Sequence, residues 1–147
     1  MRTIQHTVVI SAPPAAVWRT LTDTDRYPEW NPFITRLEGD LRPGNRLTVT
    51  VQAGTRSLTF RPTVDHVQPE RHLRWRGRLG LPGILDGCHE LLIDPRPDGT
   101  TALTQRETFD GFLVPLLGRT LRDTAEGFAT MNQALDGPVR STAAPAS

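Results

Sequence analysis

The chain has no lysine, and all 17 of its basic residues are arginine. It has one cysteine, Cys88, in 147 residues, which excludes an internal disulfide and fits a reducing compartment. Charge of either sign is nearly absent in net terms, at +1, so the strongly basic surface that nucleic acid requires is missing. No apolar run approaches the roughly 18 residues of a membrane span, which argues against stable membrane insertion. Residues Met1–Ile4 pass directly into a strand pattern without the apolar core of a signal peptide, so the expected location is cytoplasmic. His6, His66, His72, His89 and Cys88 show no metal-ligand spacing, and no metal is expected. Phosphate loops, G-x-S-x-G elbows and dinucleotide fingerprints are also missing, so no cofactor is expected.

What remains is the composition of an ordinary globular domain, 37% hydrophobic and 22% charged. Its dominant pattern lies near the C-terminus. Leu113, Leu117, Leu121, Thr124, Phe128, Met131 and Leu135 recur at steps of three and four, one face of a helix. Arg119, Arg122, Glu126, Thr130 and Gln133 take the opposite face. The spacing predicts a helix from about Pro115 to Asp136, stopped by Gly137 and Pro138. Residues 138–147 then read as a disordered tail, and residues 1–137 as a single domain.

Upstream, residues 2–11 alternate, with Ile4, His6, Val8 and Ile10 on one face of a strand. Ser11 is placed to cap a helix carrying Val17, Trp18 and Leu21, and a short second helical turn carries Tyr27. Six further strands are expected near 34–41, 45–53, 57–68, 71–78, 86–95 and 100–109, separated by turn chemistry such as Arg42-Pro43-Gly44 and Pro97-Asp98-Gly99. Short turns make an antiparallel meander, and one apolar sheet face plus one apolar helix stripe makes a two-layer α+β domain.

Particular segments sharpen this. Ala12-Pro13-Pro14-Ala15-Ala16-Val17-Trp18 follows the first strand, and Tyr27-Pro28-Glu29-Trp30-Asn31-Pro32-Phe33 precedes the meander. Gly87-x-His89, Gln105-x-Glu107-x-Phe109-x-Gly111 and Gly127-Phe128-x-x-Met131-Asn132-x-Ala134-Leu135 come later. With the order β-α-α-β6-α, these segments resemble the helix-grip superfamily (START-like or SRPBCC domains), and within it the polyketide cyclase/dehydrase-like branch. The resemblance implies a seven-stranded curved antiparallel sheet wrapped around the long C-terminal helix, with an internal cavity between them. It also implies a small, mostly apolar ligand of lipid, aromatic or polyketide type. A cyclase/dehydrase enzyme and a lipid or quinone chaperone are its alternatives.

Three polar residues stand among apolar ones on the inward rows of the last two strands: His89, Gln105 and Glu107. Strand parity makes one of Gln105 and Glu107 the direct neighbour of His89 and the other a diagonal one, within reach of one another. An unpaired buried polar group costs about 1–3 kcal/mol, so such a row needs partners, either each other or a ligand. His89 and Glu107 are the candidates for proton transfer. Trp30, Phe33, Phe60, Trp75, Phe109, Phe112, Phe128 and Met131 fit either a core or a cavity lining, and Asn31 either caps a turn or touches ligand. Leu81, Ile84 and Leu85 lie in an apolar loop at the same end as the 110–115 connection. A greasy cavity mouth is the first reading of that end, and self-association into a homodimer the second. Arg74, Arg76 and Arg78 alternate with Leu73, Trp75 and Gly77 and point outward, where the next strand offers Glu90 and Asp94 and the one after Arg106, which reads as a solvated charge ladder.

Overall fold

The computed structural model describes residues 1–79 and 83–143. Its elements run β1 (Arg2–Ile10), α1 (Pro14–Thr22), α2 (Tyr27–Trp30), β2 (Ile34–Glu38), β3 (Thr48–Ala53), β4 (Arg56–Phe60), β5 (Thr63–Gln68) and β6 (His72–Leu79). They continue with β7 (Leu85–Pro95), β8 (Thr101–Asp110), α3 (Gly118–Ala134) and α4 (Asp136–Ala143). All strand pairs are antiparallel, as short turns require.

The strands form two sheets, β1-β8-β7-β6-β5 and β2-β3-β4, rather than one of seven strands. The difference arises at Pro62, inside the strand expected over 57–68. Proline has no N–H to give to a ladder, so the segment splits into β4 and β5. The sheets stay joined at that corner. Leu47 N donates to Pro62 O at 2.8 Å, Val64 N to Asn45 O at 2.9 Å and Gly44 N to Val64 O at 2.7 Å. The result is a curved two-part surface whose inner side faces α3.

On the outer side, a bulge between Val64 and His66 leaves Asp65 without a cross-strand partner. Its carboxylate accepts from Arg74 Nε at 2.6 Å and also from Arg76. Burial alone would raise the Asp65 pKa, but the two guanidinium hydrogen bonds more than reverse this and hold it below the usual carboxylate value. Glu90 lies near His72 (3.1 Å), Arg106 (3.5 Å) and Arg74 (3.8 Å), and Arg78 faces Asp86 at 3.5 Å. The charge ladder is present. Cys88 shares this outer side, and burial pushes its thiol pKa up, which disfavours the reactive thiolate.

The helical stripe is also present: Leu121, Phe128, Met131 and Leu135 are buried, while Arg119, Arg122, Glu126, Thr130 and Gln133 are exposed. Two boundaries differ from expectation. The segment around Pro115 is a 3-10 turn (Val114–Leu116), and α3 itself begins at Gly118. At the other end the chain does not leave the helix at Gly137. Pro138 lacks the N–H that would reach back one turn, so the helix breaks only at Leu135, and Val139 N then donates to Leu135 O at 3.0 Å. α4 packs on α1 and buries Val139 completely, so residues 138–143 are structured and not a disordered tail. Residues 144–147, the rest of that expected tail, lie outside the described residues. Ser11 is not the cap of α1: the N-cap position is Pro13, and Thr101 Oγ1 instead secures this connection by donating to Ala12 O at 2.7 Å.

Phe33 reaches the sheet-facing side of α3 because residue 127 is glycine. A Cβ there would lie 2.2 Å from Phe33 Cδ1, far inside van der Waals contact. Phe33 also meets Phe128 edge to face, with ring centroids 5.5 Å apart.

Two substitutions test this packing. Val139→Ala should lower stability by about 1–3 kcal/mol in denaturant unfolding, the value of a buried aliphatic side chain. A change below about 0.5 kcal/mol, typical of surface sites, would return this segment to the status of a tail. Gly127→Ala should gain about 1 kcal/mol from helix propensity and lose about 1–3 kcal/mol from overpacking against Phe33. The net result expected is a loss; a raised thermal midpoint would show that Phe33 moves aside freely.

Candidate functional site

The pairing register brings two inward rows across the large sheet. One runs Trp75, His89, Glu107, Ile4 and the next Leu73, Leu91, Gln105, His6. Glu107 is therefore the direct neighbour of His89, and Gln105 the diagonal one. His89, Glu107 and Gln105 sit on the inner strands β7 and β8, and His6 on the edge strand β1.

His89 is 6% exposed and enclosed by rings. Trp75 stacks on it at 4.8 Å with planes 10° apart, and Phe128 of α3 meets it edge-on at 5.3 Å. Its Nδ1 lies 3.1 Å from Glu107 Oε2. An ionised carboxylate only accepts, so Nδ1 carries the proton and, in the neutral ring, Nε2 keeps its lone pair. That Nε2 is buried and has no hydrogen-bond partner among the described residues. The second carboxylate oxygen of Glu107, Oε1, lies over Gly87, where a Cβ would come within 3.2 Å of it. Gly87 thus gives Glu107 room to reach His89, and the pair forms an oriented acid–base unit with one free nitrogen.

Gln105 does something else. It is fully buried, and its Nε2 donates to Asn132 Oδ1 on α3 at 2.8 Å. Asn132 Nδ2 in turn donates to the His6 carbonyl at 3.1 Å and lies 2.9 Å from His6 Nδ1. This chain ties helix to sheet, so Gln105 is part of a structural polar network. Its Oε1 remains buried without a partner among the described residues.

The other expected residues divide. Trp75, Phe33, Phe128 and Met131 are buried around His89 and along the adjoining helix turn, and Phe109 is partly buried beside Gly87 on the same side of the sheet. Asn31 caps the turn into β2: its Oδ1 accepts from Phe33 N at 3.0 Å and Ile34 N at 2.8 Å, while its Nδ2 is buried and unpartnered. Trp30 turns to the far side, edge-on to Tyr27, and lines a crevice of about 400 Å³ with Thr20, Pro138 and Ser141. Tyr27 beneath it donates to Leu21 O at 2.5 Å, and burial, with Asp23 nearby, pushes its phenol pKa well up and keeps it a neutral donor. Phe60 is largely exposed on the small sheet and does not join the ring cluster.

At the far end, Phe112 N donates to Gly83 O and Leu113 N to Ile84 O, both at 3.1 Å, so the two apolar connections do meet at one end of the sheet. Gly111 permits this by its left-handed φ of +122°, since a Cβ there would lie 2.4 Å from Ile84 O. Phe112 is 83% exposed and Leu116 79%; Ile84 and Leu85 are half-buried, and Leu81 lies outside the described residues. His6 and Asn132 were not among the candidates from sequence. Asn132 sits one residue after Met131 on an apolar stripe, and only the helix rotation reveals that it faces Gln105.

No curated protein matches the chain by sequence. Solved structures share its fold at low identity. A protein from Mesorhizobium loti, MLL2253, superposes with a TM-score of 0.75 at 24% identity, over 96% of this chain and 98% of its own. A START superfamily protein from Mycobacterium smegmatis gives 0.70 at 22%, covering 95% and 97%. The Zhui aromatase/cyclase from a Streptomyces species gives 0.70 at 19%, covering 95% and 93%. These likenesses establish the helix-grip type of fold. Residues 1–137 match the family described as polyketide cyclase / dehydrase and lipid transport, and the chain belongs to that family.

Proposed function

We propose that the protein binds a small, mostly apolar molecule of aromatic or polyketide-like type between the large sheet and α3, with a polar group of that molecule on His89 Nε2. The observation that carries this reading is the unpartnered nitrogen itself. A buried polar atom without a hydrogen bond costs about 1–3 kcal/mol, and the rings of Trp75 and Phe128 around this one suit an apolar or aromatic skeleton. The apolar connections at 83–85 and 111–116 serve as the mouth of the site. The family description, which includes lipid transport, and the aromatase/cyclase among the structural neighbours support a ligand of this class.

A second reading rests on a different observation, the 3.1 Å contact between Glu107 and His89 Nδ1. A carboxylate orienting an imidazole is the arrangement of a general base, and proton abstraction by Nε2 would make the protein a cyclase/dehydrase-type enzyme. Binding needs only shape and one hydrogen bond, whereas turnover needs this pair poised. We favour binding.

The test begins with native mass spectrometry of freshly purified protein to find the apolar molecule it retains, followed by paired assays of wild type and Glu107→Gln on that molecule. For a binding protein the substitution should change affinity by less than about tenfold, or roughly 1.4 kcal/mol, with no product from either form. Turnover falling by about 10²–10⁴-fold with intact binding would establish the enzyme instead. Failure to bind any apolar molecule would remove both readings.

A further inference from the structure

Five large apolar side chains are exposed among the described residues, and three of them, Met1, Phe112 and Leu116, gather at one end of the large sheet. Strand register explains the convergence. Arg2 pairs with Phe109 on β8, so Met1 comes beside Asp110, its amine 3.9 Å from the carboxylate, and Phe112 follows two residues later. The connection after β8 is held in place. Val114 is buried and anchors it, Leu116 N donates to Leu113 O at 2.9 Å and Leu117 N to Val114 O at 3.1 Å. Three residues make one turn of a 3-10 helix, so with Val114 pointing in, Leu116 two residues on points out.

Arginines border this apolar tip. Arg119 and Arg122 are exposed on the first turns of α3, directly after the connection. The β3–β4 turn leans on α3 at Asp123, since a Cβ on Gly54 would lie 2.9 Å from Asp123 Oδ2, and it brings the exposed Arg56 with it. Arg2, opposite Phe109 on the inward row of β1, is exposed as well. Arg2, Arg56, Arg119 and Arg122 enter no ion pair among the described residues. The carboxylates near them are Asp110, which faces the Met1 amine, and Asp123, while Asp86 faces Arg78 on the outer side. Positive charge is therefore in surplus around the exposed apolar side chains.

We propose that this end of the domain docks reversibly on an anionic lipid surface, with Phe112 and Leu116 entering the acyl boundary and the arginines lying among the headgroups. Interfacial binding draws on buried apolar area and on attraction to anionic lipid together, and this end offers both. A second copy of the chain fits less well, because symmetric pairing of two such ends brings Arg119 and Arg122 toward their own images. The contact is peripheral: no helix among the described residues is long and apolar enough to cross a membrane. It goes beyond the ligand-binding reading and does not depend on it.

The test is co-sedimentation of the full chain, with no ligand added, on vesicles of phosphatidylcholine alone and of phosphatidylcholine mixed with phosphatidylglycerol. The mixed vesicles should bind more protein, and the difference should shrink as salt rises. Arg119→Gln with Arg122→Gln should weaken binding to mixed vesicles by about thirtyfold, the effect of two arginines near an anionic surface. Phe112→Ser with Leu116→Ser should weaken binding to both kinds of vesicle by about tenfold or more. All four residues are exposed, so the thermal midpoint should hold in both variants. No binding to mixed vesicles, or binding that neither pair of substitutions weakens, overturns the proposal. A concentration-dependent dimer that Phe112→Ser with Leu116→Ser dissolves, in a protein that leaves vesicles unbound, overturns it in favour of a second copy. Since no ligand is present, failure of the ligand-binding reading leaves the vesicle result as it stands.

Discussion

A pair of side-chain amides holds the two layers of this domain in register. Gln105 on the sheet and Asn132 on α3 hydrogen-bond at 2.8 Å where both are fully buried. An apolar stripe alone lets a helix slide and roll on a sheet, because dispersion and burial have little directionality. A buried amide pair does not, since any shift leaves two polar groups unpaired at about 1–3 kcal/mol each. Asn132 extends the lock to the edge strand through the His6 carbonyl, so β1, β8 and α3 are fixed together. Phe128, one turn before Asn132, is thereby set against His89, and the ring cluster follows from the lock.

On one pair of strands the same packing leaves two polar atoms over. Gln105 spends its nitrogen on the helix and keeps an oxygen; His89 spends one nitrogen on Glu107 and keeps the other. Each side chain is anchored at one atom and unpartnered at the next among the described residues. The outer face carries one such remainder too, Asp86 Oδ1, which is buried without a hydrogen-bond partner among the described residues. There Asp65, Glu90 and Asp86 meet Arg74, Arg76, Arg78 and Arg106 in a ladder of ion pairs.

Much of this was legible in the chain because period alone decides which face is which. The helical steps from Leu121 to Leu135 and the alternation around His89 and Glu107 identified the inner rows, and residue parity required that His89 face one of two partners. What was not legible depends on single backbone groups and on distance in space. Pro62 splits a strand that reads as continuous by alternation. Gly137-Pro138 has the chemistry of a stop, yet the pull of burying Val139 against α1 keeps the chain helical. Trp30 and Phe60 carry the right chemistry for a ligand wall, but tertiary placement puts one beside Tyr27 and leaves the other exposed on the small sheet. Asn132 needed the rotation of α3 to within a few tens of degrees, finer than an apolar pattern supplies.

The central claim is that His89 holds its proton on Nδ1, toward Glu107, and offers Nε2 to a ligand. Nitrogen-detected NMR of the imidazole reads this directly. The account predicts a proton on Nδ1 and an Nε2 resonance that moves strongly when the retained apolar molecule saturates the protein. A ring protonated at Nε2, or an Nε2 resonance unchanged at saturation, would contradict it.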